Sequence, residues 1–310
     1  MLNLFINREC NLHCDYCFVA KDFGGAPAEL TRENFELLLG WLRRTSTATV
    51  AILGGEPTLH PDLFYFLESL WSSGVCPVLF TNALFPSDWA ASLASLAYNI
   101  VINYNGPEMY RVSDYALREK NVELLIEKGA KISFSKNFAP GHLAYDYLLA
   151  GARRWGVQTI RYDFSRPRED RQNQHFAPRG QGEGLAALVE FVQAAATAGL
   201  AVGLDCCLPQ CWWAEPELSW LRAWSRPFSG VCRPSLDILP DLSVIHCWPL
   251  KNIRAPEALA FDGELDLLGY FAEAARPLRQ KSRSRWSCPD CPTPPSVCQG
   301  GCLAGALELG

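Results

Sequence analysis

The placement of thirteen cysteines constrains this 310-residue chain more than any other feature. Three fall within residues 10–17, Cys76 stands alone, and nine lie between residues 206 and 302. The opening segment "MLNLFINREC" lacks a basic n-region, and its short apolar run ends at the charged pair Arg8–Glu9, so it does not read as a signal peptide. A soluble, cytoplasmic protein is therefore expected. In a reducing compartment, clustered cysteines serve as metal ligands or catalytic groups rather than disulfides. After residue 205 the chain is rich in Pro, Trp and Cys, and its apolar runs are too short to bury a core unaided. Such a segment folds around a metal.

The first 165 residues follow another rule. Short β-rich runs at 3–7, 49–53, 78–81, 100–104, 131–137 and 159–164 alternate with helical patterns, which is the mark of repeated βα units around a parallel sheet. Six units give an α/β fold, a partial (β/α)6 TIM-like barrel. The expected division is 1–205 for this barrel and 206–310 for a Cys-rich auxiliary domain with a β-hairpin. Thr31 precedes the apolar-periodic run 35–41, with Asn34 where a capping box prefers Glu, and Gly74 and Gly129 fit as stops for the second and fourth helices. The apolar stretch 185–204 is interrupted by Glu190, Gln193 and Gly199. It is too polar to span a bilayer and reads as a helix followed by a strand. A net charge of −5 gives no footprint for nucleic acid or an anionic membrane.

In the later strands polar residues recur on one face: Ser133, Ser135 and Asn137, then Arg161, Asp163 and Ser165. A face covered by helices should be apolar, so these polar faces predict a wet or ligand-filled lumen, the bland alternative being a face turned to solvent. Residues 166–184 read as a charged loop or lid. Its arginines, with Arg161, Arg166, Arg168, Arg171 and Arg179 in sequence, either meet an anionic substrate or form a solvated loop neutralised by Glu169 and Asp170.

Cys10, Cys14 and Cys17 form C-x3-C-x2-C immediately after the first strand, at the end of the barrel where βα folds place their chemistry. Three thiolates on one loop can hold three irons of a cubane and leave the fourth iron without a protein ligand. A structural site is closed by four ligands, whereas an open position is what chemistry requires. Zinc is the alternative, but no fourth ligand follows nearby and His13 adjoins Cys14 awkwardly.

These residues resemble the radical S-adenosylmethionine (SAM) superfamily, whose signature C-x3-C-x-aromatic-C is matched by Cys10, Cys14, Tyr16 and Cys17. "ILGGEPTLHPDL" resembles the family's GGEP motif, "LFTNA" its TNG and "INYNGPE" its SLDGP, in the expected order over residues 3–140. The resemblance implies a [4Fe–4S] cluster on the three cysteines and SAM chelating its open iron. It places the SAM amino group on Gly54, Gly55 and Glu56, and the adenine against Tyr16. Asn103, Ser135 and Arg161 become candidates for the ribose and carboxylate; for Arg161 the alternative is an ordinary salt bridge with Asp163. It further implies an electron donor such as a flavodoxin or ferredoxin, reductive cleavage to a 5′-deoxyadenosyl radical, and hydrogen abstraction from substrate. Two positions depart from the pattern: Asn105 stands for Asp, and Ala83 for Gly.

The tail spacing C-x2-C-x6-C-x3-C, preceded by C-x14-C, resembles the SPASM extension with its auxiliary [4Fe–4S] clusters. The resemblance implies one set from Cys211 (or Cys206 or Cys207), Cys232, Cys247 and Cys302, with a hairpin between Cys232 and Cys247. A second set would use Cys288, Cys291 and Cys298, but only eight residues follow Cys302 and none is cysteine. That set either recruits Cys206 or Cys207, keeps an open iron, or does not form, so one or two auxiliary clusters are expected. A zinc ribbon of Cys288, Cys291, Cys298 and Cys302 is the alternative. Trp248 stands where sulfatase-maturing relatives carry a catalytic Asp. Cys76 is expected to be a buried core thiol, and the tryptophans at 212, 213, 220 and 224 are expected on a helix face and loop.

Many SPASM proteins crosslink ribosomally made peptides by thioether or carbon–carbon bonds, so the resemblance implies a peptide substrate, with any leader-binding domain supplied by a separate protein. A radical SAM dehydrogenase or epimerase of a small molecule such as a sugar or aminocyclitol is the second reading, and a non-enzymatic zinc scaffold the third.

Overall fold

In the computed structural model the described residues are 1–19, 27–168, 170–176, 182–285, 288 and 290–307. In chain order they form β1 (Leu2–Phe5), α1 (Arg32–Arg44), β2 (Thr49–Leu53), α2 (Leu63–Ser72), β3 (Cys76–Thr81), α3 (Ala90–Leu96), β4 (Asn99–Asn103), α4 (Val112–Glu127), β5 (Ile132–Phe138), α5 (Asp146–Trp155) and β6 (Thr159–Phe164). There follow α6 (Gly182–Thr197), β7 (Ala201–Leu204), α7 (Glu215–Trp224), β8 (Gly230–Val231), β9 (Asp237–Ile238), β10 (Val244–Ile245), β11 (Arg254–Ala255), α8 (Glu264–Ala274), α9 (Arg276–Arg285), β12 (Cys298–Gly301) and α10 (Ala304–Leu307). The fold is α/β, with parallel strands joined through helices. All six predicted strands are present, and β7 adds one where a helix-then-strand was expected. Two compact units account for the chain.

The first unit comprises Met1–Cys14, Val19–Ser133 and Pro234–Phe271. Its strands run in the order β11-β10-β9-β1-β2-β3-β4. β1, β2, β3 and β4 are parallel, with Leu2 opposite Val50 and Ala51 opposite Val78. Val50, Ala51 and Ile52 are fully buried, as parallel strands covered on both faces require. Thr31 caps α1, its Oγ1 accepting the Asn34 N–H at 3.2 Å, and Phe35, Leu38, Leu39, Trp41 and Leu42 form its buried face. Gly74 and Gly129 end α2 and α4 with φ of 76° and 78°, a left-handed turn that costs glycine little. The hairpin predicted between Cys232 and Cys247 is β9–β10, antiparallel with Ile238 opposite Val244; β9 also runs parallel to β1. Cys76 departs from expectation: it is the first residue of β3 and only half-buried, because its strand starts there rather than at Val78.

The second unit comprises Asp15–Phe18, Phe134–Arg233 and Ala272–Gly310. Here β5, β6 and β7 are parallel, with Phe134 opposite Ile160 and Thr159 opposite Ala201. One face of β5 and β6 is apolar: Phe138 and Tyr162 pack on Phe191 of α6, with centroids 5.5 Å apart in each pair. The other face is polar and half-buried. On it Ser135 stands opposite Arg161, and Asn137 opposite Asp163. The helix thus covers the apolar side, as the alternation predicted. A separate two-stranded parallel ladder joins β12 to β8. Trp220 and Trp224 stack on α7 with centroids 6.1 Å apart, while Trp213 is buried against Phe228. Among the described residues no helix is long and apolar enough to cross a membrane.

Candidate active site and cysteine sets

In the first unit the loops after β1, β2 and β3 are tied together. After β2, the Gly55 N–H donates to Asn7 O at 3.0 Å and the Glu56 N–H to Glu9 O at 2.7 Å; Asn7 Nδ2 returns a bond to Glu56 O at 2.8 Å. A Cβ on Gly55 would stand 2.2 Å from Glu9 O, and one on Gly54 2.0 Å from Asn7 Oδ1. Only glycine allows that approach, so the GGE turn holds the backbone leading directly into Cys10.

The Glu56 side chain points inward and is 1 % exposed. Its Oε1 accepts from Thr58 N (3.1 Å), Thr58 Oγ1 (2.7 Å) and Thr81 Oγ1 (2.7 Å), and its Oε2 from Asn82 N (2.7 Å). Burial pushes this carboxyl up, and the four donors oppose the shift. Asn82 Nδ2 then donates to Asn11 Oδ1 at 2.6 Å, and Asn11 Nδ2 to Leu84 O at 3.1 Å. Asn11 lies between Cys10 and Cys14, so the carboxylate reaches the cysteine loop through one intermediate side chain. Thr58, Thr81 and Asn82 were not read as functional from sequence, although Thr81 and Asn82 sit inside the quoted TNA motif. Cys10 and Cys14 are half-buried, and Cys10 Sγ accepts the Leu12 N–H at 3.4 Å.

Asn103 ends β4 half-buried, and its carbonyl accepts Tyr110 Oη at 3.3 Å. The loop behind it rests on Arg118, which is fully buried and lies over the rings of Tyr104, Tyr110 and Tyr115 at 4.0, 4.8 and 4.5 Å. Arg118 also donates to Asn105 O at 2.6 Å and to Glu119 at 2.9 Å. Burial raises the Tyr110 hydroxyl, and the nearby Cys14 sulfur adds to that shift. Cys247 lies in this unit too, half-buried ahead of the turn Trp248–Leu250.

In the second unit Tyr16 lies against the end of β6, and Cys17 beside it is half-buried. Tyr16 is 4 % exposed, its carbonyl accepts from Ser165 Oγ (2.9 Å) and Asn173 Nδ2 (3.1 Å), and His142 meets its ring edge at 5.7 Å. His142 in turn pairs with Asp15 at 2.9 Å. Arg161 pairs with Asp205 just past the end of β7, and Asp163, on the same face of β6, pairs with Arg166 at 3.0 Å. The arginine stretch therefore divides. Arg168 pairs with Asp170 in solvent, as the bland reading had it, whereas Arg166 is drawn inward and donates to Cys207 O at 3.3 Å. Burial raises Asp163 to about 6 despite Arg166. Arg179 and Glu169 lie outside the described residues.

Eight of the nine later cysteines belong to this unit. The thiols of Cys206, Cys207, Cys232 and Cys302 contact one another: Cys302 is held well below the usual thiol range because Cys206, Cys207 and Cys232 donate to it. Cys207 is pushed up by contact with Cys206, Cys232 and Cys302 and then by burial. Arg166 lies close enough to Cys206, Cys302 and Cys207 to feel their charge. Cys211, Cys288, Cys291 and Cys298 instead line one cavity with Pro209, Thr293, Gln299 and Gly300. Thr293, through its backbone N–H and hydroxyl, lowers the Cys291 thiol. As donor sets, both groups suit iron–sulfur clusters. Among the described residues no three Cys, His, Asp or Glu side chains converge on a shell tight enough for a single ion.

A model of the radical SAM superfamily matches residues 4–142. Two curated relatives are the probable GTP 3′,8-cyclase of Pyrobaculum aerophilum, 26% identical over 35% of this chain and 36% of that protein, and the PqqA peptide cyclase of Rhodopseudomonas palustris, 29% identical over 34% and 28%. The chain thus spans about a third of the length of the curated relatives it matches. Among solved structures, native anSMEcpe with bound AdoMet and Kp18Cys peptide aligns over 97% of this chain and 88% of that one, with a TM-score of 0.67 at 16% identity. Streptococcus suis SuiB bound to S-adenosylmethionine aligns over 99% and 73%, with a TM-score of 0.67 at 17% identity. These likenesses establish the fold. The match is to the segment 4–142, which carries the cysteines Cys10, Cys14 and Cys17 and is similar to the radical SAM superfamily.

Proposed function

We propose that this protein cleaves SAM reductively and abstracts a hydrogen atom from a ribosomally made peptide, leaving a thioether or carbon–carbon crosslink or an oxidised residue. Cys10, Cys14 and Cys17 hold the [4Fe–4S] cluster, which when bound supplies the electron and the open iron for SAM. The chain's own residues do the positioning. Gly54 and Gly55 let the turn after β2 press against residues 7–9, and Glu56 secures that turn to Thr81 and Asn82. In this reading Glu56 acts through those partners and the turn's backbone faces the SAM amino group, with Tyr16, Asn103, Ser135 and Arg161 remaining the candidate contacts. Arg161 would have to exchange Asp205 for the SAM carboxylate. The segment 206–310 carries the auxiliary cysteines. An external electron donor, a flavodoxin or ferredoxin, completes the system.

The observation that supports a peptide substrate is the alignment of nearly the whole chain, Cys-rich segment included, with anSMEcpe bound to a Kp18Cys peptide. SuiB bound to its precursor peptide SuiA aligns over 87% of the chain with a TM-score of 0.57. Among curated relatives, the PqqA peptide cyclase and the GTP cyclases each match about a third of the chain. The test is anaerobic incubation of the reconstituted protein with SAM, reductant and a short precursor peptide encoded beside its gene. Mass spectrometry should show peptide losing two hydrogens in step with 5′-deoxyadenosine. Deoxyadenosine formed at the same rate without peptide, and peptide unchanged, would favour the small-molecule dehydrogenase or epimerase.

A further inference from the structure

The sequence pattern leaves the set Cys288, Cys291 and Cys298 one ligand short. The structure supplies a fourth thiol from an unexpected place, 77 residues upstream of Cys288. Cys211, Cys288, Cys291 and Cys298 line a single cavity with about 430 Å³ of empty space, part of it open to solvent. On this geometry we propose that Cys211 closes the second auxiliary site, so that a [4Fe–4S] cluster there has a thiolate on every iron and no coordination position for substrate or SAM. The proposal rests on the reading of 206–310 as an auxiliary-cluster segment.

Three features carry it. The first is how the chain delivers the thiols. Cys207 and Cys211 are four residues apart, and so are Cys298 and Cys302. Each of these two straps places one end in the set Cys206, Cys207, Cys232 and Cys302 and the other in the cavity. Four residues reach at most about 14 Å, so the two sets stay close and each strap limits where its outer cysteine can go.

The second feature is that the straps are packed together. A Cβ on Gly301 would stand 2.4 Å from Pro209 Cδ, and one on Gly230 2.6 Å from Cys298 Sγ. Gly301 and Pro209 sit mid-strap, so their contact fixes the strap carrying Cys211 against the strap carrying Cys298. Gly230 lies opposite Cys298 in the β12–β8 ladder and leaves room for its sulfur.

The third is the partition of Cys302. It sits with Cys206, Cys207 and Cys232 and does not line the cavity, so the zinc ribbon of Cys288, Cys291, Cys298 and Cys302 loses its fourth member.

The test uses the full chain carrying C10A/C14A/C17A, reconstituted anaerobically, so that only auxiliary clusters are counted. This parent should bind about eight iron atoms, two cubanes, and give no [3Fe–4S] EPR signal on mild oxidation. Adding C211A should open one iron, so that the same oxidation releases about one iron per chain and produces a [3Fe–4S] signal. C211S, which can ligate through oxygen, should suppress most of that signal, and C76A should have no effect. A C211A protein with the iron content and oxidation behaviour of its parent would overturn the proposal. So would zinc in place of the second cubane, or a parent that already gives the [3Fe–4S] signal. Because the readout is metal content and EPR, failure here is separate from failure of SAM cleavage in the wild-type protein, which tests the functional reading itself.

Discussion

Glu56 Oε2 accepts the backbone N–H of Asn82 at 2.7 Å, and through Asn82 the carboxylate positions Asn11 within the first cysteine loop. A buried carboxylate that accepts four protein donors is costly to disturb, since each donor then faces no acceptor. Glu56→Gln turns an amide N–H₂ towards at least one of those donors. It should destabilise the fold by roughly 2–3 kcal/mol and reduce iron bound by the N-terminal cysteines. Thr81→Val, which removes one bond, should cost roughly 1 kcal/mol. Denaturant midpoints and iron analysis of the two variants check this. An E56Q protein as stable as wild type would show that the network is incidental.

The turn before Cys10 makes a sharper steric statement. A methyl at residue 55 would stand 2.4 Å from Arg8 O as well as 2.2 Å from Glu9 O, and backbone cannot swing aside as a side chain can. Gly55→Ala should therefore displace residues 8–10 and lower the iron content by close to one cubane, while the cysteines of 206–302 keep theirs. Iron and sulfide counting on G55A reads the result. Full iron retention would contradict the assigned role of the turn.

How much of this was legible in the sequence differs between the two units. The parallel strands, the Thr31 cap, the glycine stops and the β9–β10 hairpin follow from local pattern and appear where expected. The resemblance grouped Cys232 with Cys302, and Cys288 with Cys291 and Cys298, as the structure does, but it left open which of Cys206, Cys207 and Cys211 joins which set. Spacing along a chain cannot tell which of Cys206, Cys207 and Cys211 turns towards which partner when tertiary packing, here Pro209 on Gly301, decides it. Arg166 was hidden for a related reason. In sequence it is one arginine of a charged loop, and only the fold shows it drawn to Asp163 and the Cys207 carbonyl. The polar face of β5 and β6 was readable from alternation, but the Arg161–Asp205 pair was not, because Asp205 lies 44 residues away on the next strand's end.

Ala83, where the superfamily's TNG has glycine, is buried with φ of 62°. A side chain in the left-handed region costs about 1–2 kcal/mol, and glycine gives back about 0.4–1 kcal/mol through its freer unfolded chain. Ala83→Gly should thus stabilise the protein by roughly 0.5–1 kcal/mol. A higher denaturation midpoint is the expected result, and a lower one would show that the Ala83 methyl contributes packing that outweighs its backbone.

Asp237 on β9 is 3 % exposed and accepts Asn3 Nδ2 at 2.7 Å. Burial raises it from 3.8 to about 6, with Asn3 and Ser235 opposing. The folded state therefore holds this proton more tightly than the unfolded state does. Its ionisation costs nothing below about pH 4, and the stability loss grows as pH rises through about 6. Asp237→Asn should remove a penalty of roughly 1–3 kcal/mol at pH 7.5, with little difference from wild type at pH 4–4.5. Urea midpoints of both proteins across that range measure it; a gap independent of pH would mean that burial of the charge is not the cause.

The central claim is that three thiolates on one loop leave an iron free for SAM. It is tested most directly by measuring 5′-deoxyadenosine from anaerobically reconstituted wild type and C10A/C14A/C17A, each with SAM and dithionite. The account predicts deoxyadenosine from the wild type and none above background from the variant, whose iron falls by about four atoms per chain. Equal deoxyadenosine from both, or unchanged iron in the variant, would contradict it.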